Sequence, residues 1–159
     1  MDIRELVVGD IMKKPVQSVD DASRLNDAVR KMDQQWFSLL PVVDNQGCLV
    51  GVLSTTDLLG RFCEVQSDIS AFHVANEHLR DVLLDSLTKT GQNSTVKDVM
   101  QTQVHTTTAD TNLIEAAQKM LADGVHHLPV VDDANRPVGM LAALDFVNWF
   151  ATNGKTLAC

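Results

Sequence analysis

Leu40-Pro41-Val42-Val43-Asp44 returns later in the chain as Leu128-Pro129-Val130-Val131-Asp132, a shift of 88 residues. The same shift carries Asp10 onto Asp98, Met12 onto Met100, Ala28 onto Ala116, Met32 onto Met120, Gly51 onto Gly139 and Asp57 onto Asp145. So many separated matches at one offset, without a gap, make the chain two copies of one structural unit, over roughly residues 8–62 and 96–150. Two-copy architectures usually place a pseudo-twofold between the copies. The cleft where the copies meet is where function is expected.

Each copy reads the same way. Leu39–Val43 and Leu49–Leu53 are short apolar, β-branched runs around the turn formers Asp44-Asn45-Gln46-Gly47, which predicts a hairpin. The second copy repeats it with Leu128–Val131, a turn at Asp132-Asp133-Ala134-Asn135, and Val138–Leu141, with Pro137 at the start of the last strand. Ahead of each hairpin lies a helical stripe, Leu25, Ala28, Val29, Met32 and then Leu113, Ala116, Ala117, Met120, with Ser23 and Thr111 as expected caps. Gly124 suits a helix end, whereas Trp36 holds the matching position in copy one, so the two helices are expected to end differently. A second helix follows each hairpin, Thr55 to about Phe62 and Ala143 to about Phe150. Val16-Gln17-Ser18 and Val104-His105-Thr106 read as short first strands, and Ile3–Met12 as a short N-terminal element.

The fold class is therefore α+β, two strand-helix-strand-strand-helix repeats. The expected division is 1–62 (first repeat and N-terminal element), 63–95 (insert), 96–150 (second repeat) and 151–159 (tail). In the insert, Ile69, Phe72, Asn76, Leu79, Val82 and Leu83 fall near helical spacing, predicting an amphipathic helix over Asp68–Asp85 and a loop over Thr88–Ser94.

Composition narrows the function. A net charge of −8, with no basic run longer than the pairs Lys13-Lys14 and Arg30-Lys31, disfavours nucleic acid. The longest apolar runs fall far short of the roughly 20 residues that span a bilayer, and no basic-then-apolar leader opens the chain, so a cytoplasmic, membrane-free protein is expected. Three separated cysteines, Cys48, Cys63 and Cys159, suit plain thiols better than a disulfide framework or a zinc ribbon. No Gly-x-Gly-x-x-Gly, Walker loop or nucleophile elbow is present, and no catalytic constellation can be named, so the chain is not expected to be an enzyme.

The element order, Asp10-Ile11-Met12 with Asp98-Val99-Met100, the two Leu-Pro-Val-Val-Asp strands, and Gly51–Asp57 with Gly139–Asp145 together resemble the cystathionine-β-synthase (CBS) domain, here in tandem as a Bateman module. The likeness spans nearly everything outside the insert and the last nine residues. It implies a regulatory module that binds an adenine nucleotide or adenosine derivative (AMP, ADP, ATP or S-adenosylmethionine) between the copies, with no cofactor required. It also implies a homodimer and an unidentified regulated protein as partners. The competing expectation is an interaction or dimerisation scaffold with a vestigial cleft.

The site residues follow from local chemistry and from the resemblance. Ser54-x-x-Asp57 stands where a strand feeds a helix, and the unpaired amides and positive dipole end there suit an anion, with hydroxyls of Ser54, Thr55 and Thr56 as further donors. Asp57 repels phosphate but accepts two hydrogen bonds from a ribose diol. The plainer reading of the same residues is a capping box that needs no ligand. In similar proteins the matching acid holds ribose and the matching Ser or Thr holds phosphate, while Val16 and Ser18, with Val104 and Thr106 in copy two, border the adenine. Copy two keeps Asp145 but has Ala142-Ala143-Leu144 in place of hydroxyls, leaving His126, His127 and Arg136 as candidates for phosphate. The two sites are expected to differ in ligand or affinity, the second being empty or favouring an uncharged adenosine derivative.

Overall fold

The computed structural model describes residues 3–62 and 94–153. In chain order the described elements are a 3-10 turn (Ile3–Glu5), α1 (Val8–Ile11), β1 (Val19–Asp20), α2 (Leu25–Gln35), β2 (Leu39–Val43), β3 (Leu49–Ser54), α3 (Thr55–Phe62), a 3-10 turn (Val96–Asp98), α4 (Leu113–Asp123), β4 (His127–Val131), β5 (Pro137–Ala142) and α5 (Ala143–Asn153). The helix expected over Asp68–Asp85 lies outside the described residues. No described helix is long and apolar enough to cross a membrane.

The chain packs as two compact units that do not coincide with the sequence repeats. One, here the Asp57 unit, is Ser18–Gln46 with Val50–Thr102; the other, the Asp145 unit, is Met1–Gln17, Gly47–Leu49 and Gln103–Cys159. The core of the Asp57 unit gathers Leu25, Ala28, Met32, Leu40, Val42 and Leu53, the apolar faces of α2, β2 and β3, and is closed by Val96. The core of the Asp145 unit gathers their counterparts Leu113, Ala116, Met120, Leu128, Val130 and Leu141, and is closed by Val8. Val8 and Val96 are 88 residues apart. The short segment that opens each repeat therefore completes the core of the other one.

Backbone hydrogen bonds fix that exchange. Leu25 N donates to Ser94 O at 3.0 Å and Val96 N to Ser23 O at 3.0 Å; in the other unit Leu113 N donates to Leu6 O at 2.9 Å and Val8 N to Thr111 O at 2.9 Å. Gly51 and Gly139 let the exchanged segments come close. A Cβ on Gly51 would stand 2.7 Å from Met100 Sδ and 2.8 Å from Gln101 O, and one on Gly139 2.5 Å from Met12 Sδ.

Several local expectations shift. The first strand begins at Val19, not Val16, because its parallel pairing with β2 joins Val19 to Val42 and Asp20 to Val43. In the second copy that pairing is reduced to a bridge between Thr107 and Val130, so Val104–Thr106 is not a strand. The N-caps are Arg24, with no side-chain cap bond, and Asn112, whose side chain accepts from Ile114 N, in place of Ser23 and Thr111. Trp36 (φ 58°) adopts the same left-handed cap as Gly124 (φ 65°), so α2 and α4 end alike. In the hairpin turns Gly47 (φ 81°) and Asn135 (φ 58°) share the left-handed position, which glycine and asparagine both accept.

Candidate functional site

The two candidate carboxylates sit at equivalent strand-to-helix junctions. In the Asp57 unit, β3 ends at Ser54 and α3 starts at Thr55. Asp57 Oδ2 accepts from Ser54 N at 2.9 Å and from the Ser54 hydroxyl, while Asp57 N donates to Ser54 Oγ at 3.2 Å. This is a capping box, so the plainer reading of the motif is realised. Thr56 Oγ1 lies 2.8 Å from Ser54 Oγ. Two of the three hydroxyls are thus tied into the cap. The other carboxylate oxygen, Oδ1, accepts from Gln101 Nε2 at 3.0 Å.

In the Asp145 unit, β5 ends at Ala142 and α5 starts at Ala143. Asp145 Oδ2 accepts from Ala142 N at 2.7 Å, half of the same cap, with no hydroxyl to answer it. Its Oδ1 faces Lys13 Nζ at 3.5 Å. Asp145 is only 5% exposed. A buried carboxylate is retained where it is hydrogen-bonded and paired, and both conditions hold here.

His127 pairs with Ala142 across the β4–β5 ladder, beside this carboxylate. Its imidazole is held below its ordinary value, first by desolvation and then by electrostatic repulsion from the neighbouring His126. Asp145 pulls the other way, and Lys13 adds to the lowering. His126 is exposed and, with Met120, Leu121, Gly124, Ala143 and Phe146, lines an apolar hollow of about 300 Å³ between α4 and α5.

The remaining candidates divide between the units. Val16, Val104 and Thr106 belong to the Asp145 unit and are half-buried. Ser18 belongs to the Asp57 unit, where its carbonyl accepts from Lys31 Nζ at 2.8 Å. Arg136 is not brought to the site. It lies in the β4–β5 turn, at the Val131–Pro137 end of a ladder whose other end is His127–Ala142. Among the described residues no cluster of three or more His, Cys, Asp or Glu is arranged to hold a metal.

Sequence reasoning missed Lys13 and Gln101. Both lie directly after a repeated Met (Met12, Met100) and are themselves 88 residues apart, a signal visible in the alignment of the copies. Their backbones are bound alike. Lys13 N and O exchange hydrogen bonds with Met140 at 2.9 and 3.0 Å, and Gln101 N and O with Val52 at 2.9 Å each.

A family profile of the CBS domain matches residues 8–64 and again 96–152. The chain belongs to the CBS-domain family, as a tandem pair. An uncharacterised protein of Methanocaldococcus jannaschii, MJ1426, is 26% identical over 151 residues, covering 89% of each chain. Other curated relatives are longer, and the chain spans less than half of their length. Among solved structures, CBSX2, a CBS-pair protein of Arabidopsis thaliana, in complex with AMP matches with a TM-score of 0.70 at 27% identity, over 92% of this chain and 97% of that one. The CBS pair of protein MJ0100, in complex with 5′-methylthioadenosine and S-adenosylmethionine, shares the fold with a TM-score of 0.67 at 24% identity, over 92% and 97% of the two chains.

Proposed function

We propose that this CBS pair is a regulatory module that senses an adenosine-type ligand, with Asp57 and Asp145 accepting hydrogen bonds from ribose hydroxyls. The observation that carries the reading is the use of the two carboxylates. Capping a helix takes only Oδ2, yet in both units a polar side chain from the exchanged segment meets Oδ1, Gln101 at Asp57 and Lys13 at Asp145. That builds a polar end around the acid which capping does not require. AMP in the CBSX2 relative supports an adenosine ligand. In this reading Val16, Ser18, Val104 and Thr106 border the base. Ser54, Thr55, Thr56, His126 and His127 serve the 5′ group.

A set of thermal melts with AMP, ADP, ATP and S-adenosylmethionine tests the proposal. A ligand at a hundred times its dissociation constant adds about 2.7 kcal/mol and raises the melting temperature by about 5–10 °C. The shift is expected to fall in Asp57→Ala and Asp145→Ala. If no ligand moves the melt, the sensing role is wrong.

A second reading, a dimerisation scaffold, is favoured by one observation. Leu121 on α4 is 83% exposed, and Leu144, Val147 and Phe150 are exposed on α5. Apolar side chains clustered on two helices mark an interaction surface. A second copy of the chain supplies a matching one, since a symmetric dimer uses the same patch twice.

A further inference from the structure

We infer that the residue following the repeated methionine, Lys13 beside Asp145 and Gln101 beside Asp57, sets the charge of the ligand each site accepts. The inference rests on the adenosine reading of those two carboxylates. It concerns the group attached to the nucleoside rather than the nucleoside itself.

The two positions are equivalent by the 88-residue shift, and their backbones are hydrogen-bonded to β5 and β3 in the same way. Both side chains reach Oδ1, the carboxylate oxygen that the cap leaves to other partners. The difference between the sites is therefore chemical and not positional. At Asp57 a neutral amide donates one hydrogen bond, and the carboxylate keeps its full negative charge. The neighbouring hydroxyls of Ser54 and Thr56 do not offset that charge, because they are engaged with Asp57 and with each other. At Asp145 an ammonium faces the carboxylate, and the pair is neutral overall. The Lys13 side chain is 67% exposed, and its three-proton head makes one long contact at 3.5 Å. It has donors left for an incoming anion.

A phosphate on the nucleoside thus meets a cation at the Asp145 site and an unbalanced anion at the Asp57 site. The Asp145 site takes a 5′-phosphorylated adenosine. The Asp57 site favours an uncharged or cationic adenosine derivative. This reverses the order expected from the hydroxyls, which are richer around Asp57.

The experiment compares AMP with adenosine, which differ by the phosphate alone, by isothermal titration at pH 8. Asp57→Ala isolates the Asp145 site. There AMP is expected to bind about three- to tenfold more tightly than adenosine, a preference that shrinks in high salt. Lys13→Gln in that background brings the ratio close to one. Glutamine is the residue the other repeat already accommodates, so this variant is expected to fold. Gln101→Lys in an Asp145→Ala background raises the AMP preference of the Asp57 site. An AMP-to-adenosine ratio unmoved by both exchanges overturns the inference. Binding that persists when Asp57 and Asp145 are both alanine overturns the site reading beneath it.

Discussion

Lys13 Nζ lies 3.5 Å from Asp145 Oδ1, and its repeat counterpart Gln101 donates to Asp57 Oδ1 at 3.0 Å. Each contact joins the opening segment of one repeat to a helix start in the other. The exchange that closes the two cores with Val8 and Val96 thus also delivers a polar group to each carboxylate.

That arrangement ranks the stability effects around the site. Asp57→Ala and Asp145→Ala each remove a helix cap and are expected to cost about 1–2 kcal/mol in urea unfolding. Lys13→Ala is expected to cost less than Asp145→Ala, because the largely exposed ammonium is partly screened by solvent and the hydrogen bond from Ala142 N to Asp145 remains. A loss at Lys13 as large as at Asp145 contradicts this ranking.

The exchanged segments press on two glycines with different tolerance. A Cβ at Gly51 meets the Gln101 carbonyl at 2.8 Å, whereas one at Gly139 meets mainly the Met12 thioether, with the Lys13 carbonyl at 3.3 Å. A backbone carbonyl held in a hydrogen bond moves less easily than the tip of a methionine. Gly51→Ala is expected to destabilise by about 1–3 kcal/mol, and Gly139→Ala by less. Equal losses in denaturant titration argue against the tighter backbone approach at Gly51.

Stability follows pH through His127. Its folded pKa lies below the ordinary value, so on acidification the unfolded chain takes up the proton first. Stability is full above about pH 6.5, falls as pH drops below that value, and levels off beneath the depressed folded pKa. His127→Gln is expected to flatten this part of the curve, read from melting temperatures between pH 8 and 5. A slope that persists unchanged in the variant assigns it to another group.

Trp36 occupies a left-handed cap at φ 58° that a bulky residue adopts at a cost, and Gly124 shows what the other repeat uses there. Trp36→Gly is expected to stabilise by about 0.5–1 kcal/mol. A lower melting temperature in the variant contradicts that.

Much of the fold was readable because its determinants are local. The hairpins follow from apolar runs flanking Asp44–Gly47 and Asp132–Asn135, and the helix stripes from Leu25–Met32 and Leu113–Met120. What the residues alone did not reveal is non-local. Residues 8 and 96 are equivalent under the shift, so either repeat's core accepts either valine, and only the packed chain shows which one each takes. The late start of β1 reflects its pairing with β2, not the apolar Val16. The helix-start positions of Asp57 and Asp145 were legible from their motifs. Lys13 and Gln101 show in the sequence only as matching positions after the repeated methionine; which carboxylate each meets is set by packing with residues far along the chain.

The central claim is that a ribose-bearing ligand binds through Asp57 and Asp145. Isothermal titration of AMP into the wild-type chain and into the Asp57→Ala/Asp145→Ala double variant tests it most directly. Saturable heat is predicted in the wild type, and its disappearance in the folded double variant. Undiminished binding there, or no heat from the wild type at millimolar AMP or adenosine, would contradict it.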